Sequence, residues 1–264
     1  MVSSVRNPRV QEARKLRRRA ARDEAGTFLA EGPKPVAAAL AAGARVHDLF
    51  IGESARPDPG LLESARARKV AVTRVGDAVI RAICDAATPQ GVVAVVAMGP
   101  QPELPARPTL VVVLAEVRDP GNAGTLVRSA VAAGADAVVF SKGSADPFGP
   151  KTVRAAAGAL FAVPVLRDVD LPSVFGALRA RGVTIVGTDA RATTTYDALD
   201  LTRPVAFALG NEAWGLDPST VALTDETVRV PMPGDAESLN VGIAGSLLLF
   251  EAVRQRRGLS SSPS

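Results

Sequence analysis

Cysteine, histidine and large aromatic residues are scarce in this chain, and each shortage closes a route to function. Cys84 is the only cysteine and His47 the only histidine in 264 residues. No internal disulfide, cysteine-based zinc site or histidine-rich metal cluster can be built from that stock. A Ser-His-Asp triad would have to use His47, and no G-x-S-x-G nucleophile elbow accompanies it. Also missing are a G-x-G-x-x-G after a strand and a G-x-x-x-x-G-K-[ST] loop, which disfavours nicotinamide dehydrogenases and P-loop nucleotide hydrolases. No apolar run reaches the roughly 18 residues of a membrane span. The opening MVSSVRNPRV has no apolar signal-peptide core. The expectation is a cytoplasmic chain with no membrane attachment and no metal.

What is present is a globular balance, 47% hydrophobic and 22% charged. The net charge of +4 is small, but its distribution is uneven. RNPRVQEARKLRRRAAR (6–22) sets Arg6, Arg9, Arg14, Lys15, Arg17, Arg18, Arg19 and Arg22 against a single acid, Glu12. Such a segment attracts a polyanion such as RNA. Taken alone, it reads more simply as a solvated helix face or a frayed terminus.

Two α/β halves are expected. In 27–99 the pattern gives helices at 34–43, 59–69 and 77–86, and strands at 46–52, 70–75 and 91–98. GPQPELPARP (99–108) has four prolines in ten positions, a density that no helix or central strand tolerates, so a linker is expected at 100–108. Beyond it, TLVVVLAEV (109–117) is an unbroken apolar run suited to a strand buried on both faces. Further strands are expected at 137–140, 163–166, 183–188, 205–210 and 227–232, with helices at 122–133, 150–160, 172–181 and 239–257. Alternation of this kind predicts a parallel sheet covered by helices, with ligands beyond the carboxyl ends of its strands. The expected layout is 1–99, the linker, 109–258 and a disordered tail at 259–264.

Three loops after strands carry unusual polar clusters. In AEVRDPGNAGTLVRSAVAAGA (115–135), Asp119-Pro120-Gly121 is turn chemistry. Singly, Asn122 reads as a helix cap and Arg128 as a solvated helix residue. In ALGNEAWGLD (208–217), Glu212 follows a core strand and could face either water or a pocket mouth. Trp214, the only tryptophan, could stack on a base, although packing is the simpler role. In PMPGDAESLNVGIAGSLLLFEAV (231–253), Asp235 or Ser238 could cap the helix, and its small residues permit close approach of another segment or subunit.

The three loops in this order, on successive β-α elements, closely resemble the motifs of the SpoU (TrmH-like) branch of the SPOUT methyltransferases. GSADPFGPKTVRAAAGALFAVPV (143–165) is similar to the segment between them, and FLAEGPKPVAAALAAG (28–43) resembles the start of an L30e-like substrate-binding domain. The resemblance implies an S-adenosylmethionine-dependent RNA ribose 2′-O-methyltransferase, acting on 23S ribosomal RNA in preference to tRNA. Enzymes of this layout that confer thiopeptide resistance are a narrower match. A noncatalytic knotted RNA-binding protein and a small-molecule α/β enzyme are the alternatives. Also implied are a trefoil knot and a homodimer through the C-terminal domain.

By the same resemblance, the cofactor is held at Thr188, Asp189 and Ala190, at Gly210, and at Val230, Pro231, Met232, Ser238 and Leu239. Asn122, Arg128, Glu212, Ser238 and Asn240 take the catalytic roles, with Asn122 orienting Arg128 or the ribose. Arg14, Arg17, Arg18, Arg19, Arg22 and Arg128 are the expected RNA contacts. The family often has serine where this chain has Gly242, so one helix hydroxyl is missing.

Overall fold

The computed structural model describes residues 4–236 and 238–260, and the chain divides into two compact units. The division is not a single cut. Residues up to Pro100 together with Asp146–Ala162 form the first unit, and Gln101–Ala145 with Val163 onward form the second.

In the first unit, α1 (Pro8–Lys15) and α2 (Arg19–Ala25) precede β1 (Thr27–Glu31), α3 (Pro33–Ala41), β2 (Val46–Gly52), α4 (Pro59–Ala67), β3 (Ala71–Val75), α5 (Asp77–Ile83) and β4 (Val92–Ala97). The strands make one mixed sheet in the order β1-β4-β2-β3, in which only β2 and β3 run parallel. The basic arm is neither frayed nor free. Asn7 caps α1 by accepting the Arg9 N–H, and Val10, Ala13 and Leu16 enter a core with Leu29, Phe50, Val79 and Ile83. Apolar residues at a three-residue spacing among the arginines make one stripe of α1, and that stripe is buried.

Arg22 departs from the expected set of RNA contacts. It is only 3% exposed, donates to the Leu16 carbonyl and pairs with Asp146. Burial removes it from any contact with RNA. Arg14, Arg17, Arg18 and Arg19 stay exposed; Arg17 pairs with Asp85 and Arg19 with Asp23. Asp146 opens the returning segment, whose helix Pro150–Ala156 places Arg154 2.8 Å from the buried carboxylate of Glu31. Phe28 packs between Phe148 and Phe161 of the same segment. Two ion pairs and an aromatic cluster therefore hold 146–162 to the first unit.

The second unit contains β5 (Leu110–Leu114), α6 (Pro120–Ala132) and β6 (Ala137–Ser141) before the returning helix, α7 (Pro150–Ala156). After it come β7 (Val165–Val169), α8 (Leu171–Arg179), β8 (Thr184–Thr188), β9 (Val205–Leu209), α9 (Pro218–Val221), β10 (Glu226–Val228) and α10 (Val241–Ser260). Six strands pair in the order β10-β8-β9-β5-β6-β7, every pair parallel. All five residues of β5, β6 and β9 are buried, as central strands covered on both faces require. Helix α10 continues to Ser260, and 261–264, the rest of the expected disordered tail, lie outside the described residues.

Two strands end sooner than the apolar pattern predicts. β5 stops at Leu114 because Glu116 turns into the left-handed region, at φ 59°. β10 stops at Val228, and Arg229 then bridges to Thr195; Pro231 and Pro233 cannot donate to a ladder. Helices α6 and α10 approach closely at Gly245, where a Cβ would sit 2.4 Å from Leu126 and 2.5 Å from Leu209. Among the described residues, no helix is long and apolar enough to cross a membrane.

Breaking a buried ion pair leaves the remaining charge uncompensated, at a cost of about 3 kcal/mol. Arg22→Ala should lower the urea unfolding free energy by about that amount, whereas exposed Arg14→Ala should change it by less than about 0.5 kcal/mol.

Candidate active site at the strand carboxyl ends

An all-parallel sheet brings the carboxyl ends of all its strands to one edge. Here the neighbours β10, β8, β9 and β5 deliver the loops beginning at Arg229, Asp189, Gly210 and Ala115. The loops after β5, β9 and β10 are the ones whose polar clusters stand out in the sequence, and the one at Asp189 is the one the resemblance adds.

Glu212 joins two of them. Its carboxylate accepts the backbone N–H of Asp119 at 2.9 Å and of Arg118 at 3.2 Å, and the Asn122 side-chain amide at 3.1 Å. Asn122 in turn accepts the side-chain amide of Asn240 at 2.8 Å, and Asn240 Oδ1 accepts the N–H groups of Gly242 and Ile243 at 2.9 and 3.2 Å. Backbone donors at one end and a carboxylate at the other leave each amide one workable orientation. The three side chains form a directed hydrogen-bond chain from the loop after β9, through the first turn of α6, to the start of α10.

The caps differ from the sequence expectation. Asp119, not Asn122, caps α6: it accepts the Asn122 N–H at 2.8 Å, with Pro120 in the first turn. An aspartate before a proline is a cap signature, so this one was readable from sequence. Asn240, not Asp235 or Ser238, caps α10. Asn122 is thereby freed from capping, and its amide bridges Glu212 and Asn240 instead of Arg128. Arg128 lies six residues further along α6, which is about 9 Å along the axis and a third of a turn around it. It is exposed and makes no hydrogen bond or ion pair with a described residue. Ser238 is likewise exposed and without a partner.

The glycines at the site answer to space. A Cβ on Gly210 would lie 2.1 Å from the Gly215 carbonyl carbon and 2.2 Å from the Leu216 nitrogen, because the loop folds back over it. Asn211, a buried residue the sequence reading did not select, fixes that fold. It exchanges two 2.9 Å backbone bonds with Gly215, accepts the Ala213 N–H and donates to the Glu116 carbonyl. At Gly242, a Cβ would sit 3.1 Å from Asn240 Oδ1 and 3.3 Å from Thr125, so the family serine would crowd α6 here.

The remaining sequence candidates flank this core. Thr188 ends β8 and donates to the Ala208 carbonyl; the Asp189 N–H bonds to Val228, and Ala190 is exposed. Hydrogen bonding by the Arg191 N–H holds the Asp189 carboxyl below its ordinary value, against some burial. Between Arg229 and Asn240, including Val230, Pro231, Met232, Ser238 and Leu239, no backbone group of a described residue is paired with another described residue. That stretch leaves β10 beside the end of β8 with unspent donors and acceptors. Among the described residues, no group of His, Cys, Asp and Glu could hold a metal ion.

Comparison with known proteins gives the following likenesses. Residues 109–250 match the SpoU rRNA Methylase family, and 7–94 match the MRM3-like substrate binding domain. The chain is 35% identical to the 23S rRNA (guanosine(2553)-2′-O)-methyltransferase RlmP of Bacillus subtilis, over 94% of this chain and 97% of that one. It is also 35% identical to the 23S rRNA (uridine(2479)-2′-O)-methyltransferase of Streptomyces viridochromogenes, over 95% and 91%. Among solved structures it resembles the SpoU methyltransferase AviRb of Streptomyces viridochromogenes in complex with AdoMet. The TM-score is 0.86 and the identity 32%, with coverage of 96% of this chain and 100% of that one.

The charge on Glu212 is coupled to the loops it joins. Burial pushes its carboxyl up, but the Asp119 N–H, the Asn122 amide and the Arg118 N–H outweigh that and leave it below the ordinary 4.5. A depressed carboxyl stabilises the fold above its unfolded value, and this stabilisation is lost as pH falls through the folded value. Because the loop is solvent-screened, Glu212→Gln should cost only about 1 kcal/mol near neutral pH. The difference from the parent chain should close on acidification, as read by urea unfolding across the acid range.

Proposed function

The chain belongs to the SpoU rRNA Methylase family, and on that footing we propose that it transfers a methyl group from S-adenosylmethionine to a ribose 2′-hydroxyl of 23S ribosomal RNA. The observation that carries this reading is the joining of Asn122, Glu212 and Asn240, from three separate strand-end loops, into one hydrogen-bonded chain. A scaffold that only held RNA would not need those loops locked together.

The residues present fit the cofactor. The unpaired backbone groups at Val230–Met232 and Ser238–Leu239, with Thr188–Ala190 and Gly210 alongside, suit an adenine edge and an amino-acid end. S-adenosylmethionine supplies a sulfonium-bound methyl that is already electrophilic, so what the protein must add is position. The hydrogen-bond chain fixes the loops that carry the reacting groups. Arg128, exposed and unpaired, meets the phosphate and stabilises negative charge on the 2′-oxygen. A guanidinium stays protonated, so it is not the proton acceptor. The Ser238 hydroxyl is free to meet the substrate.

The relatives name the same chemistry at different nucleotides, guanosine 2553 and uridine 2479. Choice of nucleotide therefore belongs to this chain's own RNA-binding surfaces. The exposed arginines of the basic arm, Arg14, Arg17, Arg18 and Arg19, contribute salt-sensitive affinity that is indifferent to sequence. Because α1 is part of a core, the arm cannot be deleted to test this; its charges must be neutralised one by one.

The trefoil knot, the homodimer and the cytoplasmic location, where ribosomal RNA is processed, belong to the same proposal. Ile243, Leu247 and Phe250 stand on one side of α10 with exposures of 53, 38 and 48%. A second copy would take this stripe out of water.

Labelled S-adenosylmethionine offered with ribosomal RNA and tRNA separately should label ribosomal RNA, and the acceptor should map to a position resistant to alkaline cleavage. Binding of both ligands without transfer would mean a noncatalytic RNA-binding protein. Arg128→Lys should reduce turnover roughly tenfold or more, since a point charge does not reproduce the bidentate fork. Phe250→Asp should shift the mass found by light scattering from dimer to monomer.

A further inference from the structure

Three large aromatic side chains of the second unit, Phe140, Phe175 and Phe207, are almost completely enclosed. Trp214 and Phe250 are exposed instead, and Trp214 the more so, with 56% of its surface in solvent. An exposed indole forgoes the burial energy that its apolar surface would otherwise contribute, so its setting matters. The Arg118 guanidinium lies over the Trp214 ring, 5.0 Å from its centroid, and is itself tied to Glu116 at 2.8 Å.

Both members of this pair are fixed from the backbone. The Trp214 loop is closed by the two Asn211–Gly215 bonds and the Asn211 side chain. The Arg118 N–H is held by Glu212. Glu116 keeps its left-handed backbone, φ 59°, because Ser141 accepts its N–H and Asn211 donates to its carbonyl. Strained backbone held in place on both sides is found where a side chain must be aimed. Trp214 is also two residues from Glu212, within about 7 Å of chain.

We propose that Trp214, with Arg118 braced against it, is a stacking site for one unpaired nucleobase of the RNA, next to the ribose that is modified. It rests on the reading of the chain as an RNA methyltransferase. Every base offers a π-face, so this site selects for an unstacked nucleotide and not for a particular base. Single-stranded loops with splayed bases are the form of RNA that such a surface accepts. The rigid loops mean that little ordering remains to be done when the base arrives. Glu116 neutralises part of the Arg118 charge, which makes the pair a platform more than a phosphate clamp.

Because Trp214 is the only tryptophan, the indole emission, excited beyond the absorption of Tyr196, reports on this residue alone. Titration with a short single-stranded oligoribonucleotide should quench it, and S-adenosylmethionine alone should not. In the methyl-transfer assay, Trp214→Leu should raise the KM for ribosomal RNA roughly tenfold or more, the loss expected for one base stack, without moving the KM for S-adenosylmethionine. Trp214→Phe should restore most of the affinity. The proposal is overturned if RNA leaves the emission unchanged, or if the cofactor alone quenches it. Emission that follows protein concentration instead of RNA overturns it too, as does a leucine variant with the parent KM for RNA. Quenching by RNA without methyl transfer would uphold the base site and sink the proposed activity; transfer without quenching would do the reverse.

Discussion

A carboxylate that accepts two backbone N–H groups and a side-chain amide has little freedom left, and at Glu212 that restriction ties two loops together. The loops after β5 and β9 cannot move apart without leaving backbone donors unpaired. Through Asn122 and Asn240 the same restriction extends to the first turn of α10. Hydrogen bonds to an ionised acceptor are stronger than neutral ones, so the charged end of the chain sets the orientation of both amides behind it. A site assembled from separate loops acquires the rigidity of the sheet beneath it.

Glycine makes that assembly compact. At Gly210 the loop returns so closely that its own backbone occupies the place of a side chain, and at Gly245 the helix backbone meets Leu126 and Leu209. These are not flexible joints. They are positions where close approach excludes a Cβ, and they let α6, α10 and the β9 loop share one small volume. The absence of a family serine at Gly242 fits the same crowding, since Thr125 and the Asn240 cap already fill that space.

The first unit uses its charges in two ways. Arg22 and Arg154 are structural: each meets a carboxylate, Asp146 or Glu31, that is itself largely enclosed. The other arginines of the basic arm are exposed on α1, on α2 and in the turns beside them, while the apolar stripe of α1 is anchored in the core. A charge-rich segment of sequence is thus divided by helical periodicity into a buried bolt and a solvated face, and only the latter remains available to a polyanion.

Sequence alone determined the α/β class, the parallel sheet, most strands and helices, and the three polar loops. Buried parallel strands must be continuous apolar runs, and turns must carry glycine, proline and small polar residues. Both constraints are local and therefore legible. The division of labour within the loops was not. Asp119 and Asn240 took the caps that were expected of Asn122 and of Asp235 or Ser238, because a cap is decided by which oxygen reaches the free N–H groups. Arg22 could not be told from its neighbours until α2 placed it against an aspartate 124 positions away. Trp214 read more simply as a packing residue than as a stacking one, yet it stands in solvent under a guanidinium. Each of these outcomes depends on partners distant in sequence, which only the folded chain brings within hydrogen-bonding or stacking distance.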